Sequence, residues 1–194
     1  MKVVILAGGL GTRLGEITKV IPKPMIKIGE HPIIWHIIKY YLSFNHKDFI
    51  IALGYKSDII KKYFLKIAKE NINSNIKKNK SVLEIKNIFQ KNCSITLVDT
   101  GLKSMTGGRL KRISSFLKND SFMLTYGDGL SNIDINKLIE FHNSHKKLAT
   151  ISAVHPIARF GELKLQGKNV ISFKEKPQTT DGWINGGFFV FEND

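Results

Sequence analysis

Apolar residues along the chain keep two rhythms, and the changes from one to the other mark out the elements. Lys2 to Leu6 is a β-branched run that stops at a glycine cluster, the pattern of a buried strand. From His31 to Leu42 apolar pairs recur four residues apart, at Ile33/Ile34, Ile37/Ile38 and Tyr41/Leu42, which predicts an amphipathic helix entered at Pro32. Asp48 to Leu53 reads as a strand closed by Gly54, and Ser57 to Lys69 as a helix with Ile59, Ile60, Tyr63, Phe64 and Ile67 on its inner face. Ser94 to Val98, Ser121 to Tyr126 and Ala149 to Val154 are further strands. Gly108 to Leu117 is a short helix, and Asp134 caps another that sets Ile135, Leu138, Ile139 and His142 on one side. The polar stretch Asn71 to Lys80 reads as a loop. From Phe160 onward the style changes, with strands at Glu162 to Leu165, Val170 to Lys174 and Ile184 to Phe191 and no long helix between them.

Strand–helix alternation with short connections predicts an α/β fold, a parallel sheet covered by helices on both faces. Ligands of such sheets sit beyond the carboxyl ends of the strands, and glycine-bearing loops follow two of those ends, after Leu6 and after Tyr126. No internal repeat or low-complexity linker interrupts the chain, so residues 1–194 are expected to form one domain. A lone cysteine, Cys93, excludes an intramolecular disulfide framework and a Cys-rich zinc site. The longest apolar runs, such as Ile33 to Ile38, fall well short of the roughly 20 residues that span a bilayer. The amino terminus lacks the apolar region of a secretory leader, and a soluble, cytoplasmic protein with no membrane partner is expected.

A net charge of +14 raises the question of nucleic acid. The excess is almost wholly lysine, 26 of 30 basic residues, whereas base readers depend on the bidentate fork of arginine. The densest stretch, Lys61 to Lys91, reads in part as the solvated face of a helix. No nucleic-acid partner is expected.

The strongest local signal is Leu6-Ala7-Gly8-Gly9-Leu10-Gly11-Thr12-Arg13-Leu14-Gly15, followed by Lys19 and by Pro22-Lys23-Pro24-Met25. Glycines directly after a first strand let backbone N–H groups approach phosphate oxygens. The spacing is not that of a P-loop. It is a near miss for the dinucleotide pattern G-x-G-x-x-G begun at Gly9 and Gly11, because Leu14 takes the third glycine position and the second strand ends in Leu53-Gly54 without an acid. Arg13 and Lys23 flank the loop, and a fork-shaped and a point-like cation suit a triphosphate reacting at its α-phosphorus. A glycine turn with surface cations is the alternative reading of the loop alone.

The run L-A-G-G-x-G-T-R-L followed by P-K-P-M resembles the signature of the sugar-nucleotidyltransferases, which join a nucleoside triphosphate to a sugar 1-phosphate and release pyrophosphate. The likeness continues through Gly127-Asp128-Gly129, Phe160-Gly161-Glu162, Glu175-Lys176-Pro177 and Asn185-Gly186-Gly187. Within the family, Thr96 to Gly101, Thr125 to Gly129, Trp183 to Phe189 and above all Ser104-Met105-Thr106-Gly107-Gly108-Arg109-Leu110-Lys111-Arg112 are most similar to the branch that uses CTP and glucose 1-phosphate. The resemblance implies the nucleotide-diphospho-sugar transferase fold, a Rossmann-like, mixed but mainly parallel sheet. It also implies Mg2+ as cofactor, CTP and glucose 1-phosphate as substrates, and a homo-oligomer in the full-length form.

It further implies roles. Arg13 and Lys23 would be catalytic. Leu6, Ala7, Gly8, Gly9, Gly11, Thr12, Ser104, Gly107, Gly108, Arg109 and Gly127 would bind the nucleotide, with Arg109 offering a donor fork to the base. Gly161, Glu175, Lys176 and Asn185 would take the sugar phosphate, and Asp128 would hold the metal. The resembled enzymes carry a second metal-binding aspartate and a carboxyl-terminal region beyond the point matching Asp194, so a catalytic core lacking its last part is expected. A catalytically impaired binding relative, or a transferase using UTP or dTTP, is the rival reading; a nicotinamide-binding domain and a basic nucleic-acid module are disfavoured by Leu14 and by the scarcity of arginine.

Overall fold

A computed structural model of the chain describes residues 1–11, 16–117, 120–158, 160–175, 177 and 182–192. Arg13, Thr12 and Lys176 lie outside the described residues. The chain forms two compact units, one of Met1–Thr150 with Phe189–Asp194, the other Ile151–Phe188.

The first unit is built on β1 (Lys2–Ala7), β4 (Asp48–Leu53), β7 (Ser94–Asp99) and β8 (Phe122–Tyr126), with β1 and β4 central. β1 pairs in parallel with β4 and β8, and β4 with β7, in registers such as Ile5 opposite Ile51 and Thr125. β-branched side chains stand on both faces of the central strands. Val4, Ile50, Ala52 and Leu124 pack with Ile113 and Leu117 of α4 (Thr106–Leu117), while Val3, Ile5, Phe49, Ile51 and Met123 of the opposite face are equally buried. Burial on both sides explains why these strands read as unbroken apolar runs rather than as alternation.

The helices follow the expected periodicity. α2 (Ile33–Ser43) buries Ile34, Ile37, Ile38 and Tyr41. α3 (Ser57–Glu70) buries Ile60, Phe64 and Ala68, with Ile59, Tyr63 and Ile67 half-buried beside them. α5 (Ile135–His145) is capped as expected, the Asp134 carboxylate accepting the Lys137 N–H at 3.1 Å. Two further pieces are short: α1 (Glu16–Val20) and a 3-10 turn at Lys23–Met25, followed by the two-residue strands β2 (Lys27–Ile28) and β3 (His31–Pro32).

The expected loop at Asn71 to Lys80 is corrected. β5 (Asn75–Lys78) and β6 (Val82–Lys86) form an antiparallel hairpin that joins β7, also antiparallel, and extends the sheet. The sheet is therefore mixed. β5 hid from the pattern because all four of its residues are exposed, so it carries no apolar alternation.

The end of β12 (Ile184–Phe191) pairs beside β8, where Phe191 stacks on Phe122 at 5.6 Å and Phe189 meets Tyr126 edge-on at 5.8 Å. Glu192, just beyond, is fastened to α5. His142 is fully buried; its Nε2–H donates to the Glu192 carboxylate at 2.9 Å, and its Nδ1 lies 2.8 Å from Thr150 Oγ1. Ser121 Oγ donates to the other carboxylate oxygen at 2.7 Å.

The second unit contains Ile151–Val154 of β9 (Ala149–Val154), the hairpin of β10 (Glu162–Gln166) and β11 (Asn169–Lys174), and the first residues of β12. Gly167, at φ +61°, turns the hairpin.

The hydrogen bonds from Ser121 and His142 hold the Glu192 carboxyl below its ordinary value near 4.5. A lowered pKa in the folded state contributes stability that is complete above 4.5 and is lost as pH falls through the folded value. Urea unfolding of the wild type and Glu192→Gln is therefore expected to show a constant difference above about pH 5.5, shrinking towards zero in the acid limb.

Candidate active site

Three chain crossings converge at the carboxyl ends of β1, β7 and β8 and wall a cavity of about 290 Å³ in the first unit. From β1 come Leu6 and Ala7, then Gly8, Gly9 and Gly11; from the end of β8 come Tyr126, Gly127 and Asp128; and the opening of α4 adds Ser104, Met105, Thr106 and Arg109. Lys23 and Pro24 close the side. The strand ends are stitched directly, the Gly127 N–H donating to Leu6 O at 2.9 Å. A Cβ on Gly127 would come within 3.0 Å of Leu6 O and of Pro24 Cγ, so a larger residue would have to push that seam apart by a few tenths of an ångström.

Lys23 Nζ and Asp128 Oδ2 face each other at 2.5 Å, each side chain about 30% exposed. The pair leaves a cation and an anion side by side on the cavity wall, partly open to water, so their attraction is screened. Among the described residues no three His, Cys, Asp or Glu side chains gather into a metal cluster.

Arg109 differs from expectation. The donor fork assigned to the base is turned inward, and the residue is only 5% exposed. Nη1 donates to Leu53 O at 2.9 Å, Thr100 Oγ1 at 2.7 Å and Gly101 O at 2.9 Å, and Nη2 to Gly8 O at 2.7 Å. Burial, with Arg112 nearby, pushes its pKa down, against the pull of Asp99. The guanidinium thus ties together the turns after β1, β4 and β7. Arg112, one helical turn on, donates to Thr100 O and Ser104 Oγ and holds the same turn from outside.

The glycines separate by function on geometric grounds. A Cβ on Gly8 would fall 2.2 Å from Arg109 Nη1, and one on Gly54 would fall 2.5 Å from the same atom and 2.7 Å from Gly8 O. A Cβ on Gly9 would meet nothing within 4 Å beyond its chain neighbours. Gly11, at φ +68°, needs glycine for its backbone. Gly107 and Gly108 lie in the first turn of α4 and do not wall the cavity.

The expected sugar-phosphate residues Gly161, Glu175 and Asn185 belong to the region 151–188. There a Cβ on Gly161 would strike the Phe173 ring at 2.6 Å and approach the Glu175 carboxylate at 3.3 Å, and Asn185 Oδ1 accepts the Gly187 N–H at 2.7 Å. Pro24, Met105, Thr106 and Tyr126 also line the cavity, although the motifs that contain them assigned them no role; Met105 is 81% exposed at its mouth.

Gly8→Ala is expected to lower stability by about 3 kcal/mol or more, because the guanidinium must leave carbonyls it satisfies. Gly9→Ala is expected to leave the melting temperature within about a degree while weakening nucleotide binding. Thermal unfolding with a nucleotide titration of both variants checks the contrast.

A sequence profile of the nucleotidyl transferase family matches residues 2–194, running through both units. The glucose-1-phosphate cytidylyltransferase of Salmonella typhi is 50% identical over 193 residues, 98% of this chain and 74% of that enzyme. The D-glycero-alpha-D-manno-heptose 1-phosphate guanylyltransferase of Campylobacter jejuni is 34% identical, over 100% of this chain and 77% of that enzyme. Among solved structures, HddC from Yersinia pseudotuberculosis complexed with GMP-PN superposes with a TM-score of 0.67 at 28% identity, covering 99% of this chain and 76% of that one. The fold, the glycine-walled cavity and these relatives together make this chain a member of the nucleotidyl transferase family.

Proposed function

We propose that the chain transfers the cytidylyl group of CTP to α-D-glucose 1-phosphate and releases pyrophosphate. The observation that carries this reading is the Lys23–Asp128 pair on the wall of a glycine-lined cavity, a phosphate-binding cation beside a carboxylate suited to a hard metal ion. The 50% identity to a cytidylyltransferase, against 34% to a guanylyltransferase, supports CTP and glucose 1-phosphate within the family.

In this reading a phosphate oxygen of glucose 1-phosphate attacks the α-phosphorus of CTP in line. The bond from that phosphorus to the bridging oxygen of the β-phosphate breaks, and pyrophosphate departs with the electron pair. The attacking phosphate is already ionised at neutral pH, so no general base is needed, and the work of the protein is positioning and charge neutralisation. The main chain from Leu6 to Gly11 approaches the phosphates, and Lys23 exchanges Asp128 for a phosphate oxygen. Arg13 supplies the second cation, and Ser104 with the neighbouring main chain takes the cytosine edge. Glu175, Lys176, Gly161 and Asn185 take the sugar phosphate. The setting is the cytoplasm.

Mg2+ fits the donors in a limited way. Asp128 is a single carboxylate, and Mg2+ commonly takes one or two, completing its shell with substrate phosphates and water. Asp128 would hold the ion, which when bound would neutralise charge on the phosphate oxygens.

Pyrophosphate release is to be measured with Mg2+ and glucose 1-phosphate across CTP, UTP, dTTP, ATP and GTP. Turnover confined to CTP is expected; preference for another base would overturn the base assignment, and binding of CTP without turnover would favour the impaired relative. Lys23→Ala should fold normally and lose about a thousandfold in turnover. Near-normal turnover in that variant would remove Lys23 from the catalytic set.

A further inference from the structure

Both ends of the glycine loop are fastened to the turn between β4 and α3, the entry to Tyr55 and the exit to Tyr55 and Lys56. At the entry, the Tyr55 N–H donates to Gly8 O at 3.2 Å. At the exit, Tyr55 Oη donates to Thr18 O at 3.1 Å, and Lys56 Nζ donates to Val20 O at 2.9 Å and to Lys19 O. Thr18 returns to the loop, its Oγ1 donating to Gly11 O at 3.2 Å.

α1 is five residues long, far below the length at which a helix persists unaided. Of its residues only Thr18 is buried; Ile17 is 54% exposed and Val20 69%. The ion pair of Glu16 with Lys19 is exposed, a kind that contributes little. Three successive carbonyls at the end of α1, which a short helix leaves without helical partners, are therefore taken by a hydroxyl and an ammonium from another segment, and a cation at a helix carboxyl end also suits the helix dipole.

Lys56 does this from an unfavourable backbone. Its φ of 50° and ψ of 39° are left-handed, a conformation that glycine or asparagine adopts more cheaply than a lysine. A turn alone would be better served by glycine, so the side chain is the part of Lys56 that this position uses.

The geometry points to Tyr55 and Lys56 as positioning residues that set the spacing between the two ends of the phosphate-binding loop. They touch no substrate; they hold α1, and with it the described ends of the loop at Gly8 and Thr18, in place before the triphosphate arrives, which removes that part of the ordering cost from nucleotide binding. This inference rests on the proposed transfer reaction for its kinetic consequence, but not for its structural one.

Lys56→Gly relieves the backbone while deleting the ammonium, and Lys56→Arg restores a cation. Lys56→Gly is expected to melt at or above the wild-type temperature. Its amides from Glu16 to Ile21 should exchange hydrogen about tenfold faster, and its KM for the nucleoside triphosphate should rise about tenfold with KM for the sugar phosphate unchanged. Lys56→Arg should recover both readouts, and Tyr55→Phe should move them in the same direction by less. Unaltered exchange at Glu16 to Ile21 in Lys56→Gly would overturn the inference. So would an unaltered triphosphate KM, an equal rise in both KM values, or no recovery with arginine. If the wild type turns over none of the triphosphates, the transfer reading fails by itself, and the exchange measurement still decides whether the clamp exists.

Discussion

The guanidinium of Arg109 is the constraint on which the cavity depends. Three parallel strands turn away at neighbouring ends, and the carbonyl oxygens of those turns need donors; Gly8 O takes the Tyr55 N–H and Leu53 O the Thr100 N–H, and each has room for a second. One planar group with five N–H donors meets carbonyls from all three turns, at Gly8, Leu53 and Gly101, and adds the Thr100 hydroxyl. Gly8 O and Leu53 O keep main-chain donors of their own, so the guanidinium adds a second hydrogen bond to each and links three turns that would otherwise be joined only in pairs. Lysine could not substitute, since an ammonium is a point charge without the planar fork.

Several otherwise separate features follow from that centre. Gly8 and Gly54 are glycines because the guanidinium occupies the space of their side chains. Thr100 is buried with its hydroxyl donating to Leu53 O while accepting from Arg109. The opening of α4 is drawn against the strand ends, which brings Ser104 and Met105 to the cavity wall. The cavity is thus lined by main chain held from behind, with Lys23 and Asp128 paired at its wall.

The amount legible in the sequence follows the strength of each physical signal. Central strands were legible because burial on two faces demands an unbroken apolar run, as at Lys2 to Leu6 and Asp48 to Leu53. Asp134 was legible because a cap is a local interaction. The β5–β6 hairpin was not: its outer strand, Asn-Ile-Lys-Lys, is exposed throughout, and pairing to a sheet leaves no trace in such residues. The glycine loop and the Asp128 turn were legible as a pattern of residue types. Which glycines serve the backbone and which make room for Arg109 was not, because that depends on a side chain about a hundred residues away. Tyr55 and Lys56 escaped for a related reason: they form no motif, and their role comes from the carbonyls that the fold carries to them. His142, seen only as one member of an apolar face, proved to be the buried partner of Glu192.

The exposed outer strand has a consequence for how the molecule behaves among its own kind. A sheet edge is a row of unpaired N–H and C=O groups onto which another chain can add. Here the edge is only four residues long and ends in Lys77 and Lys78, with Lys80 in the turn beyond and Lys86 on the neighbouring strand. A second copy approaching edge to edge would have to bring like charges together and desolvate them, at a cost that grows with every rung added. The lysine excess that first suggested an anionic partner therefore has a colloidal use, keeping crowded copies of this sheet from growing into one another.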